Sequence, residues 1–207
     1  MQSRLRLQIG IGIVIAIWAA LLLISGITLK PTLLKPFSLA IGIAYFVLLA
    51  FDLWLWRIPF IARLLHQPVL RGTWKGRLVS NWTDPATGTK RPPIEAFLVV
   101  QQTYSSISLR IMTEESSSRS LVASLDTPRD DVSRVSSTYQ NIPRLLVQDR
   151  SRIHHGTVLL EVQGTPANRL VGSYWTDRDT KGELEFDVRS EKIFTGHDEA
   201  SKALWKA

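Results

Sequence analysis

The chain has 207 residues, no cysteine and a formal net charge of +7. This length suits one compact domain with a shorter additional segment, and the lack of cysteine excludes disulfides and thiolate metal sites. Residues 1–71 hold seven of the 25 basic residues and one of the 18 acidic residues, which leaves 18 and 17 for residues 72–207. Because the basic excess flanks two apolar runs and forms no basic face elsewhere, we expect no DNA or RNA partner.

Two long apolar runs open the chain, at about 7–29 and 37–56. Each holds about 20 apolar or small residues, so a helix of that length would cross about 30 Å of bilayer hydrocarbon. Lys30-Pro31 and Lys35-Pro36 bracket the short linker between them, and proline disfavours a helical residue before it. The sequence therefore predicts that residues 1–56 form a two-helix transmembrane hairpin.

Charges around these runs predict an orientation. Arginines lie before the first run and after the second, whereas the linker carries two lysines. The positive-inside rule then predicts a multi-pass membrane protein with both termini in the cytoplasm and the linker outside. Small residues Gly12, Ala16 and Ala20 recur every four positions in the first run. Such a stripe lets helices approach closely, either within the hairpin or between protomers, and both alternatives stay open.

The pattern changes after a juxtamembrane linker at 57–71. From Gly72 onward, apolar and polar residues alternate with a period near two, and turn-forming residues interrupt the alternation. This is typical of antiparallel β-strands. Residues 72–195 are predicted to form a cytoplasmic ligand-binding domain, and the tail at 196–207 to pack on that domain, pack on the membrane or fray. The predicted strands are 73–82, 94–104, 106–113, 119–126, 132–140, 155–163, 169–177 and 183–189.

Eight short sequential strands favour an all-β fold, an eight-stranded antiparallel up-and-down barrel of lipocalin-like type, preceded by the transmembrane hairpin. Two packed sheets are the alternative, but a closed barrel leaves no open strand edge, which favours the barrel. Trp74 follows Gly72 by two residues at the start of the first strand. We expect its side chain to plug the base of the barrel.

Side chains that carry chemistry form no catalytic constellation in this sequence. His154 and His155 are adjacent, so on a strand they face opposite sides and cannot share a metal ion. There is no glycine-rich phosphate loop and no nucleophile elbow. The sequence therefore predicts a protein that is not an enzyme and that has no metal site and no cofactor.

Aromatic residues and cations near strand ends favour a binding role. An aromatic face can stack on a nucleobase, contributing about 1–3 kcal/mol, and rim cations can contact phosphates. Arginines and lysines of the predicted rim include Lys90, Arg91, Arg150 and Lys181. The residues predicted to contact a ligand that carries bases and phosphates are Trp82, Tyr104, Tyr139, Arg144, Arg152, Trp175 and Arg178.

Three segments carry a resemblance to a known family. Arg71-Gly72-Thr73-Trp74-Lys75-Gly76 opens the predicted barrel, and Leu170-Val171-Gly172-Ser173-Tyr174-Trp175 with Gly182-Glu183-Leu184-Glu185-Phe186 closes it. Together with the span pair, they resemble the effectors of bacterial CBASS antiphage systems, of the CD-NTase-associated, two-transmembrane, β-strand-rich type. The resemblance covers the whole chain.

The resemblance implies a function. In such systems a partner CD-NTase cyclase senses phage and makes a cyclic dinucleotide, which the barrel binds. The effector then forms a homo-oligomer and acts on inner-membrane lipids, so that the infected cell dies by abortive infection. A different class of function stays open, which is a membrane-tethered lipocalin-like carrier or scaffold. That alternative needs an open apolar cavity inside the barrel.

Overall fold

The computed structural model describes residues 11–12, 15–16, 19–20, 31–84, 87–127 and 132–205. The chain divides into two units, one formed by residues 1–61 with 103–106 and one by residues 62–102 with 107–207. The domain boundaries predicted at 56, 71 and 195 stay predictions.

The first unit contains helix α1 (Pro31–Leu53) and a 3₁₀ helix (Leu55–Arg57), and helix α2 (Pro59–Leu64) follows. Helix α1 begins at Pro31, although the prolines were expected to keep the linker outside both helices. Proline is compatible with the first helical turn because the N–H that it lacks has no partner there. In the same unit, the ring of Tyr104 lies 5.1 Å from that of Phe51 and 6.2 Å from that of Trp56.

The predicted transmembrane hairpin is wrong. Among the residues that the structure describes, no helix is both long and apolar enough to cross a membrane. The multi-pass inner-membrane localisation rested on this hairpin and is wrong for the same reason. Most of the first predicted span, 7–29, lies outside the described residues. Gly12, Ala16 and Ala20 are described as helical and exposed, and their role in association stays a prediction.

The second unit is a closed barrel in which each strand pairs antiparallel with its neighbours in chain order, and β8 pairs with β1. This confirms the predicted eight-stranded up-and-down barrel. Alternation of apolar and polar residues places one face of each strand inside. The strands are β1 (Gly72–Ser80), β2 (Ile94–Gln102), β3 (Ile107–Met112), β4 (Ser116–Asp126), β5 (Arg134–Pro143), β6 (His154–Gln163), β7 (Arg169–Thr176) and β8 (Lys181–Ser190).

Trp74 closes one end of the barrel, as predicted. Its side chain is fully buried, and its indole Nε1–H donates a hydrogen bond of 2.9 Å to the carbonyl oxygen of Leu70. The guanidinium of Arg189 lies 5.2 Å from the centre of a Trp74 ring and donates to the carbonyl oxygens of Val69 and Arg71. These contacts pair the indole N–H and the two terminal guanidinium nitrogens beside the plug, whereas Arg189 Nε is buried without a hydrogen-bond partner among the described residues.

Serine side chains help to join β3 to β4. The hydroxyl oxygens of Ser118 and Ser120 accept hydrogen bonds of 3.1 and 3.0 Å from the backbone N–H groups of Ile111 and Leu109. The strand therefore begins at Ser116, three residues before the predicted start. An irregularity in register between Ser120 and Val122 then changes which residues of β4 face inward.

An outer apolar cluster covers part of β2. The ring of Trp205 stacks on Phe97 at 5.5 Å and contacts Phe194 at 5.6 Å. Helix α3 (His197–Ser201) contributes Ala200, whose carbonyl oxygen accepts a hydrogen bond of 2.9 Å from Trp205 Nε1. Of the three fates considered for the tail, the structure therefore shows packing on the barrel over its described residues.

Glu199 fastens this C-terminal segment through an acid-sensitive contact. A hydrogen bond from Lys192, followed by hydrogen bonds from the backbone and side chain of Thr195, lowers the pKa of Glu199 to about 2. A lowered folded-state pKa means that the stabilisation is complete above the ordinary glutamate pKa and is lost as pH falls toward about 2.

We therefore expect Glu199→Gln to destabilise the protein at pH 6 and to have progressively less effect as the pH approaches 2. The measurement is the free energy of urea unfolding of both proteins across this pH range. Glu191→Gln, at an exposed glutamate outside these contacts, is the control. An effect of Glu199→Gln that is the same at every pH would contradict the expectation.

Candidate functional site

A cavity of about 240 Å³ lies at the barrel end opposite the Trp74 plug. Its walls come from the strand ends and from the four connections β1–β2, β3–β4, β5–β6 and β7–β8. Apolar side chains line its deep part, namely Leu78, Ile94, Ile111 and Leu184. Polar and charged side chains line the rest: Ser80, Trp82, Arg91, Glu114, Glu115, Tyr139, Asn141, Arg150, His154, Tyr174 and Arg178, among others.

Two buried tyrosines form one wall of this cavity, and glycines on neighbouring strands make room for them. Tyr139 pairs in register with Gly156, and Tyr174 pairs with Gly182. A Cβ on Gly156 would lie 2.6 Å from the Tyr139 hydroxyl oxygen, and one on Gly182 would lie 2.8 Å from the Tyr174 ring. Burial raises the pKa of both phenols, so each hydroxyl is neutral and can donate or accept a hydrogen bond.

His154 presents a defined hydrogen-bonding pattern at the cavity wall. Its side chain is buried, and Nδ1 lies 2.9 Å from the backbone carbonyl oxygen of Arg152. Because a carbonyl oxygen only accepts, Nδ1 carries the proton. Burial lowers the pKa of His154, assisted by the nearby charge of Arg178, so the ring is neutral at neutral pH and Nε2 is an acceptor. His155 is exposed, so the two histidines face opposite sides of the strand, as predicted.

Charged groups cluster near the cavity mouth. One oxygen of Glu115 accepts a hydrogen bond of 2.7 Å from Arg91, and the other accepts one of 2.6 Å from Arg150. Burial raises the pKa of Glu115, but the hydrogen bonds and charges of the two arginines outweigh this effect and lower it below its ordinary value. Arg178 also lines the cavity and forms no ion pair within the described part of the chain.

The structure brings three of the seven predicted ligand contacts to the cavity, namely Trp82, Tyr139 and Arg178. Trp82 is about half exposed and Tyr139 is buried. Their role in binding stays a prediction.

The other four predicted contacts do not line this cavity. Tyr104 belongs to the first unit, and Arg144 pairs with Asp198 at 3.3 Å. Trp175 follows the inward Tyr174, so strand alternation turns it to the outer face, where it is half exposed. The side chain of Arg152 is likewise outside the lining, and its carbonyl oxygen instead holds His154.

Sequence reasoning missed several lining residues. Glu115, Asn141 and His154 were not among the candidates, because no single motif contains them. The alternation of the strands could have identified two of them. Asn141 lies on the same face of β5 as Tyr139, and His154 lies on the same face of β6 as Gly156. Within the described residues, no group of three or more His, Cys, Asp or Glu side chains could hold a metal ion.

Two comparisons with known proteins cover this unit. A family model described as the Cap15 cyclic dinucleotide receptor domain matches residues 65–188, which is more than half of the chain and includes every residue that lines the cavity. A curated relative, CD-NTase-associated protein 15 of Staphylococcus schleiferi, is 22% identical over 147 residues. That alignment covers 71% of this chain and 75% of the relative.

Proposed function

The chain belongs to the Cap15 family of CBASS effectors, which is defined by a cyclic dinucleotide receptor domain, and we propose that the cavity opposite Trp74 is its receptor site. The observation that carries the proposal is the combination, in one cavity, of buried aromatic residues with arginines at the mouth. A cyclic dinucleotide needs both, because it carries two flat bases and two phosphates.

Residues of the cavity suit the separate parts of such a ligand. Arg91, Arg150 and Arg178 can donate to phosphate oxygens, since the guanidinium group matches phosphate geometry. Trp82 is exposed enough to stack on a base at the mouth. Deeper in the cavity, Asn141 can both donate and accept, and His154 Nε2 can accept a hydrogen bond from a base.

The proposal extends to the output of binding. In this proposal a CD-NTase cyclase makes the ligand, in line with the name of the curated relative. Binding drives self-association and disruption of the bacterial inner membrane. Large apolar side chains exposed on the first unit support this output, because such surfaces are typical of protein or membrane contacts; they include Ile43, Phe46, Val47, Trp54 and Phe60.

In this proposal the chain is a sensor and not an enzyme, and the cyclase supplies the chemistry. The carrier alternative requires an open apolar cavity, whereas buried apolar side chains pack together inside the barrel, Trp74, Leu98 and Leu160 among them, and the remaining cavity has a charged mouth. A cavity of this kind favours an anionic ligand over an apolar one.

Calorimetry of the full chain tests the proposal. The probes are cyclic di-AMP, cyclic di-GMP and 3′,3′-cyclic GMP–AMP, with ATP as a control that carries phosphates without the cyclic backbone. We expect at least one cyclic dinucleotide to bind saturably and more tightly than ATP. The proposal is overturned if none of the three cyclic dinucleotides binds saturably.

A further inference from the structure

Glu115 occupies the arginines that the proposed ligand would need. Its two carboxylate oxygens separately accept hydrogen bonds from Arg91 and Arg150, so one anion bridges both guanidinium groups. All three side chains line the cavity. The pKa of Glu115 lies below its ordinary value, so the carboxylate is ionised at neutral pH.

We propose that Glu115 is a built-in competitor for the ligand phosphates and thereby sets the affinity threshold of the receptor. The inference rests on the proposed function, since it concerns the same cavity. A ligand that places a phosphate between Arg91 and Arg150 must take over the hydrogen bonds that Glu115 now accepts. The net free energy of binding is therefore what remains of the arginine–phosphate attraction after the arginine–carboxylate hydrogen bonds have been broken.

This exchange has a physical consequence for selectivity. Phosphate and carboxylate both match the guanidinium group, so exchanging one for the other yields little net free energy at a single site. Arg178 is a third cation on the lining, and within the described residues it has no carboxylate to displace. A ligand with two phosphates can contact Arg178 at no such cost while its other phosphate displaces Glu115. A ligand with one phosphate lacks this additional contact.

Removing the charge of Glu115 is expected to strengthen binding. Glu115→Gln keeps the size of the side chain but removes the anion that holds the two arginines. Each of these ion pairs is partly exposed and contributes only modestly, so we expect the affinity for the best cyclic dinucleotide probe to rise about fivefold. Affinity for 5′-AMP should rise by a smaller factor, because its single phosphate can contact Arg178 without displacing Glu115.

Glu114 provides a matched control. It is the preceding residue, it lines the same cavity, and it makes no ion pair within the described residues. Glu114→Gln changes the net charge of the mouth by the same amount as Glu115→Gln. Any general electrostatic effect on an anionic ligand therefore appears in both variants, and we expect Glu114→Gln to change the affinity by less than about twofold.

Calorimetry of the full chain and both variants, against the same three cyclic dinucleotides and 5′-AMP, decides the matter. Circular dichroism verifies that each variant keeps the β-sheet spectrum. The inference is overturned if the wild type binds a cyclic dinucleotide but Glu115→Gln binds it no more tightly than Glu114→Gln does. Weaker binding by Glu115→Gln would show instead that Glu115 positions the arginines. If wild type and variants bind none of the cyclic probes, the proposed function fails, and this inference fails with it.

Discussion

Replacing Arg178 with alanine is expected to lower the affinity for the best-binding cyclic dinucleotide about ten- to a hundredfold. Arg178 lines the cavity, and its guanidinium lies 3.5 Å from the Ser151 hydroxyl oxygen and from the Arg152 carbonyl oxygen, which leaves it available for a phosphate. A hydrogen bond to a charged group contributes about 1.5–3 kcal/mol, which corresponds to this range of affinities. Calorimetry of the full chain measures the change.

Two other arginines of the sequence-based candidate set are matched controls. Arg152→Ala leaves intact the backbone carbonyl that holds His154, and Arg144→Ala removes a side chain paired with Asp198. Each removes the same charge as Arg178→Ala, but neither side chain lines the cavity. We expect both to change the affinity by less than about threefold. Equal losses in all three variants would indicate a general charge effect and contradict the placement of the site.

Replacing Trp74 with alanine is expected to destabilise the protein by about 3–5 kcal/mol. The side chain is fully buried at the closed end of the barrel, and truncating it leaves a cavity there. It also leaves the Leu70 carbonyl oxygen and the Arg189 guanidinium without contacts that they have in the native protein. Urea unfolding followed by circular dichroism measures the loss, which is a large fraction of the stability of a typical domain.

Trp175→Ala is the matched control for this substitution. It makes the same change of residue type near the opposite end of the barrel, where Trp175 faces outward and is half exposed. We expect a loss of about 1 kcal/mol or less. Comparable losses in the two variants would mean that the Trp74 plug does not stabilise the closed end of the barrel.

Local alternation explains why much of the barrel could be predicted. Residues 184, 186 and 188 alternate with charged residues along β8, and the same period two recurs in the other strands. The predicted start of β4 was three residues too late, because the serines at its start join β3 through side-chain hydroxyls and not through an apolar pattern. The hairpin prediction rested on hydropathy and proline positions, and it was wrong. The prolines did not mark the end of the helices either, because helix α1 begins at Pro31, within the predicted linker.

At the candidate site, the type of a residue was a poorer guide to the cavity lining than the face of the strand on which the residue lies. Trp82, Tyr139 and Arg178 were chosen as aromatic or basic residues near strand ends, and they line the cavity. Trp175 was chosen by the same criterion, yet it faces outward because its neighbour Tyr174 faces in. A strand exposes consecutive side chains on opposite faces, so being near a strand end does not decide which face a residue occupies.

The sequence by itself determined eight amphipathic strands, the tryptophan plug and the separation of the basic N-terminal segment from a nearly neutral domain. These properties depend on local period and composition. Only the tertiary structure decided that Arg91, Glu115 and Arg150 meet at one cavity mouth, because three different connections bring them together when the barrel closes. The pairing of Glu115 with both arginines is a property of that closure, since these residues lie far apart along the chain.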